Sequence, residues 1–246
     1  MRRFVVASLS TAILGLGAAQ AADLPRKAPP MPPPVVMYNW TGCYIGAHAG
    51  VGWARTEWTN TADTTAFGDM VPGQGFTQTK SGFVGGGQLG CNYQVNQWVF
   101  GIEGTFAGST IKGTLNNNIF GAADDIFETK INSIATVTGR IGYAFNNWLP
   151  YIKGGYAGAN NKFSVSDTVG ASQGSGSETK WHSGWTVGGG LEYGLTRNWI
   201  IGIEYDYISL QSKNYNVAGG AAGVYAFDVK PRIHEVLVRL SYKFWP

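Results

Sequence analysis

The chain has 246 residues, rich in Gly (36) and aromatics (12 Phe, 12 Tyr, 9 Trp) but only 13% charged, against about 25% in soluble domains. Past the N-terminal two dozen residues no apolar run approaches the roughly 18 needed for a membrane helix, so any membrane role falls to strands. A formal charge of +3 gives no support to nucleic-acid binding.

In chain order, Met1-Arg2-Arg3 is a basic n-region, residues 4–18 are apolar, and Ala19-Gln20-Ala21 fits an A-x-A cleavage site. Residues 1–21 therefore read as a signal peptide, removed after Ala21, and the protein leaves the cytoplasm. Residues 22–39 hold six of the ten prolines. A segment this dense in Pro neither pairs in a sheet nor continues a helix, and reads as an extended periplasmic tether.

From residue 40 to 246 the pattern repeats. An Asn-containing turn followed by Trp recurs at Trp40, Trp98, Trp148 and Trp199, and each Trp opens a stretch with a period of two, which is that of a strand. Ascending strands are expected at 41–53, 98–107, 148–156 and 199–209, and descending ones at 82–93, 135–145, 184–195 and 235–244. Each is close to the roughly 9 to 11 residues of a tilted membrane strand. The turns on the Trp side are short. The opposite connections, 54–81, 108–134, 157–183 and 210–234, are long and polar. This is the pattern of an all-β, eight-stranded, antiparallel, up-and-down transmembrane barrel with turns in the periplasm and loops outside.

The faces fix the orientation of the wall. Phe100, Ile102 and Phe106 oppose Glu103, while Ile141, Tyr143 and Phe145 oppose Arg140. An eight-stranded lumen is only just filled by side chains, so the aromatic faces belong in lipid and the charges inside. Trp40, Trp98, Trp148 and Trp199 are then expected to form a periplasmic aromatic girdle. Glu103, Lys153 and Glu204 lie five residues above the last three of these tryptophans, at one height. Paired with Arg140, Glu192 and Arg239 respectively, and with Asp206 near Glu204, they should close the lumen, since unpaired buried charge is costly. The competing reading is a narrow, low-conductance channel lined by the same charges. Cys43 and Cys91 share the outward face of neighbouring strands, and an oxidising periplasm allows a disulfide between them.

NWTGCYIGAHAG, GFVGGGQLGCNYQ, VTGRIGYAFNNWLPYIKGG, GWTVGGGLEYGL and VRLSYKF resemble the small porin-like outer-membrane proteins of alphaproteobacteria. That opacity-protein-like superfamily includes rhizobial outer-membrane proteins and some hemin-binding proteins. The resemblance covers residues 40–244 without the loops. It implies residence in the outer membrane of a Gram-negative bacterium, contact with lipid and lipopolysaccharide, and assembly by the outer-membrane insertion machinery. It further implies a structural role in envelope integrity and surface contact, with host surfaces as partners; peptidoglycan enters only as a contact open to the Pro-rich tether, for which a plain spacer is the better reading. Hemin capture enters through the resemblance alone, with His182, Tyr215 and Tyr225 as candidate contacts. No other cofactor and no metal site is expected, because His48, His182 and His234 lack ligand partners at metal-binding spacing. A catalytic trio of Glu178, His182 and Asp228 is conceivable at the loop end, but solvated loop residues account for it better, and the chain reads as a non-enzyme.

Overall fold

The computed structural model describes residues 38–61, 73, 75–116, 125–167, 175–218 and 224–244. The expected signal peptide and the tether up to residue 37 lie outside these. Ten strands follow: β1 (Gly42–Asn60), β2 (Gly75–Val95), β3 (Trp98–Ser109), β4 (Lys112–Asn116), β5 (Asp125–Tyr143), β6 (Trp148–Asp167), β7 (Ser175–Gly194), β8 (Trp199–Leu210), β9 (Lys213–Ala218) and β10 (Val224–Lys243). β3 and β4 both pair with β5, and β8 and β9 both pair with β10. The ten segments therefore make eight antiparallel staves, and pairing of β1 with β10 closes the barrel. At the level where every stave pairs with both neighbours, closure leaves no open sheet edge, the condition for spanning hydrocarbon that offers the backbone no water.

Side-chain alternation places the apolar face outward. Ile102 is 69% exposed and the adjacent Glu103 only 2%, the reverse of a water-soluble barrel. Ile45, Leu89, Val137, Ile152, Ile203 and Val238 continue the outward belt around the wall. Such a band of apolar surface marks membrane contact.

The strands run further than the alternation suggests. Most of the connections read as loops at 54–81, 108–134, 157–183 and 210–234 are strand: pairing reaches Asn60 on β1, begins at Gly75 on β2, and includes all of β4 and β9. The physical reason is an inversion of polarity above the belt. There Arg55, Lys112, Lys130 and Lys162 face outward, while Trp58, Ile111, Ile131, Phe163 and Tyr215 turn in and are buried. A bulge between Ile131 and Ser133 resets the register so that both Ile131 and Ile134 point inward, as bulges do when an extra residue is inserted.

The short turns explain the Asn-Trp repeat. Asn96 and Asn146 take the left-handed conformation (φ 54° and 53°), one that Asn tolerates better than most residues. Asn147 Nδ2 donates to the Gly194 carbonyl at 3.0 Å and Asn198 Nδ2 to that of Lys243 at 2.7 Å, tying each turn to the next strand end. Trp98, Trp148 and Trp199 are exposed on the outer face at this rim. Trp40 is not with them. It is 1% exposed inside the barrel, packed with Tyr38 against Val99, Leu149 and Ile200. Tyr38, Trp40 and Tyr44 keep one inward parity through Gly42, whose φ is +141°, and residues 38–41 run into the mouth, where Trp40 N donates to Gln94 Oε1 at 2.8 Å.

Candidate functional site

At mid-height seven staves send side chains to one layer of the lumen. Tyr44 comes from β1, Glu103 from β3, Arg140 from β5, Tyr151 and Lys153 from β6, Glu192 from β7, Glu204 and Asp206 from β8, and Arg239 from β10. The ion-paired side chains are at most 6% exposed. Room for the tyrosines comes from facing glycines: a Cβ on Gly90 would lie 2.6 Å from Tyr44 Oη, and one on Gly190 2.7 Å from Tyr151 Oη.

The pairing is a network and not a set of hairpin couples. Arg140 reaches Glu192 at 2.7 Å and Glu103 at 3.4 Å. Lys153 lies 2.7 Å from Glu204, 3.1 Å from Asp206 and 3.6 Å from Glu103. Arg239 bridges Glu103 and Glu204. Two of the expected pairs, Glu103 with Arg140 and Glu204 with Arg239, are therefore present. Lys153 with Glu192 is not: Lys153 lies opposite Gly188 and Glu192 opposite Leu149, four residues apart along the hairpin, so Glu192 turns to Arg140 and Lys153 crosses to β8. The register, which sequence parity leaves open, decides this.

Two phenols that charge counting overlooks complete the layer. Tyr44 Oη donates to Glu103 Oε2 at 2.6 Å and accepts from Arg140 Nη1 at 2.8 Å. Tyr151 Oη donates to Glu204 and accepts from Arg239 Nη1 at 3.0 Å, and its ring lies 3.8 Å from the Arg140 guanidinium carbon. Their signal in the sequence is position: both share the inward parity of the charges. His48, Gln88 and Ser241 add a second chain, with His48 Nδ1 2.7 Å from Gln88 Oε1 and Gln88 Nε2 donating to Ser241 Oγ at 3.1 Å. That brings β2, the remaining stave, into the polar interior.

Apolar layers flank the charges. Below, Tyr38 and Trp40 cap Val99, Leu149 and Ile200; above, Val84, Ile134, Ile208, Ile233 and Leu237 belong to one buried cluster. Each of the three floor residues follows a rim tryptophan directly, a signal the sequence reading missed. Cys43 and Cys91 are directly opposed on β1 and β2 and form a disulfide.

The loop-end candidates are dispersed. His182 is fully buried, with Nε2 2.7 Å from Tyr215 Oη and Nδ1 3.1 Å from the Gln211 carbonyl. Burial holds its imidazole below the usual range and the Tyr215 phenol above. Both ring nitrogens are thus engaged, and a hemin iron would have to displace one of these bonds. The Tyr225 side chain lies outside the described residues. Glu178 pairs with Lys180 at 2.8 Å and Asp228 accepts from Asn214 at 3.3 Å, so the bonds of His182 go to neither acid. Among the described residues, no group of three or more His, Cys, Asp or Glu side chains could hold a metal ion.

Comparison with known proteins places this architecture. The family model for the outer membrane protein beta-barrel domain matches residues 9–244. The 31 kDa outer-membrane immunogenic protein of Brucella melitensis biotype 1 is 32% identical over 248 residues, covering 99% of this chain and 100% of the relative. The 25 kDa outer-membrane immunogenic protein of Brucella canis is 32% identical over 240 residues, covering 96% of each. Among solved structures, outer membrane protease OmpT from Escherichia coli superposes with a TM-score of 0.52 at 7% identity, over 84% of this chain and 98% of that one, a likeness of fold alone. The chain belongs to the outer membrane protein β-barrel domain family and resides in the outer membrane of a Gram-negative bacterium.

Proposed function

We propose that this barrel is a closed structural element of the outer membrane, contributing to envelope integrity and surface contact, and not a route for solutes. One observation carries the reading: the ion network of Glu103, Arg140, Lys153, Glu192, Glu204 and Arg239 spans the lumen from β3 to β10 with its side chains almost wholly buried. An eight-stranded barrel has little space beyond its own side chains, and a charge pair in such surroundings opens only at a cost of several kcal/mol. The floor of Tyr38 and Trp40 and the apolar layer above add two further barriers.

The reading is tested in cells. A strain lacking the gene should become more sensitive to SDS with EDTA, and uptake of small hydrophilic solutes should stay unchanged. Wild-type protein should restore resistance. Unchanged detergent sensitivity together with slowed solute uptake would contradict the structural role and favour a channel.

A further inference from the structure

We propose that Lys112, Lys130 and Lys162 form a binding site on the outer wall for a phosphate group of lipopolysaccharide. Lys112 on β4 lies directly opposite Lys130 on β5, and Lys130 directly opposite Lys162 on β6. All three are exposed, and their sequence neighbours Ile111, Ile131 and Phe163 are buried, so the lysines share the outward face. Like charges directly opposite on a sheet destabilise it. Here three stand in a row, within about 10 Å at a strand spacing of about 4.8 Å.

On the opposite flank acids stand closer to the bases: Arg232 pairs with Glu57 at 2.8 Å, and Arg55 and Lys230, which make no ion pair themselves among the described residues, lie directly opposite the two members of that pair. Among the described residues, Lys112, Lys130 and Lys162 make no ion pair. The nearest acid on their face, Glu128, is two residues from Lys130, stands opposite Thr114 and Ser164, and makes no ion pair either. One acid against three bases leaves the row with a surplus of positive charge.

Its height identifies the occupant. Lys162 is opposite Thr179, two residues above Trp181. The Trp181 indole donates to Tyr156 Oη at 3.1 Å, and both rings are exposed at the upper edge of the apolar belt. Two residues at about 3.3 Å each and a tilt near 40° put the lysines about 5 Å above that edge. With the long-stranded end outside the cell, that level is where the outer leaflet carries the phosphates of its glycolipid. Three flexible ammonium groups converge on a phosphate as point charges.

The test uses the full folded chain in a non-ionic detergent, titrated with fluorescently labelled bisphosphorylated lipopolysaccharide. The variant combining Lys112→Gln, Lys130→Gln and Lys162→Gln should bind at least ten-fold more weakly, whereas Arg55→Gln with Lys230→Gln, on the opposite flank, should change affinity less than two-fold. Wild type should bind dephosphorylated lipopolysaccharide, phosphatidylglycerol micelles and inorganic phosphate at least ten-fold more weakly than the bisphosphorylated form. Folding is followed separately. Without lipopolysaccharide, Lys130→Gln should raise the unfolding midpoint, because it removes repulsion on both sides. Undiminished binding by the triple variant, equal binding of any of the three comparison ligands, or a lowered midpoint for Lys130→Gln would overturn the proposal.

Discussion

Arg140 and Lys153 stand directly opposite each other on β5 and β6, two cations facing the same lumen. Side by side they repel, and the arrangement holds because acids from other staves reach between them: Glu192 to Arg140 and Glu204 to Lys153, each at 2.7 Å. The stability of the barrel is therefore tied to those acids, Glu103 above all, since it meets Arg140, Lys153 and Arg239 together.

Glu103→Gln should lower stability by about 3 to 5 kcal/mol, the range for breaking a buried ion pair. Urea titration of the folded barrel in detergent, followed by Trp fluorescence, measures it. Glu57→Gln, which removes the half-exposed partner of Arg232, should cost less than about 1 kcal/mol. Similar losses for the two variants would mean that the lumen charges behave as if solvated.

Tyr151→Phe isolates the phenol. It deletes a donor to Glu204 and an acceptor for Arg239 while keeping the ring beside Arg140, and should cost about 1 to 3 kcal/mol through the unmet polar groups. Tyr156→Phe, at an exposed hydroxyl 3.0 Å from Ser183 Oγ, should stay within about 0.5 kcal/mol of wild type. The same denaturant series compares them, and equal effects would remove Tyr151 from the network.

Trp40→Ala empties the floor. As a buried indole it should cost about 3 to 5 kcal/mol, and the folded band should lose its resistance to SDS at a lower temperature. Trp98→Ala should have a smaller effect in detergent, because that ring is 51% exposed. The reverse order would return Trp40 to the outer girdle.

The disulfide of Cys43 and Cys91 closes a sequence separation of 48 residues, and its removal in Cys43→Ala with Cys91→Ala should cost about 2 to 4 kcal/mol. Mass spectrometry of envelope-extracted protein, alkylated before reduction, should find neither thiol labelled. Two labelled thiols would show that the bridge does not form in the cell.

The membrane half of this fold is legible in the sequence because one simple rule governs it. Lipid outside and little room inside make residues such as Ile102 and Glu103 alternate, and the Asn-Trp turns punctuate the pattern. Above the belt water replaces lipid, and Trp58 or Phe163 turns inward while Lys162 turns outward, so the same alternation reads as loop. Trp40 illustrates a second limit. Period-two counting back from β1 sets it on the inward parity of Tyr44, where it is buried, whereas the Asn-Trp repeat groups it with the rim tryptophans, and a shared motif does not fix a shared face. The partners of Lys153 and Glu192 expose a third, because opposite charges on adjacent staves pair only when the register brings them level. The layer at which Glu103, Lys153 and Glu204 meet was legible from their equal distance above the rim tryptophans. Which acid meets which base depends on the closed barrel.

Single-channel recording in planar bilayers tests the closed lumen most directly. Wild-type protein should give only rare or very small events, and Arg140→Ala or Arg239→Ala should increase them by opening a gap in the charged layer. Steady porin-like conductance from the unmodified barrel would contradict the account.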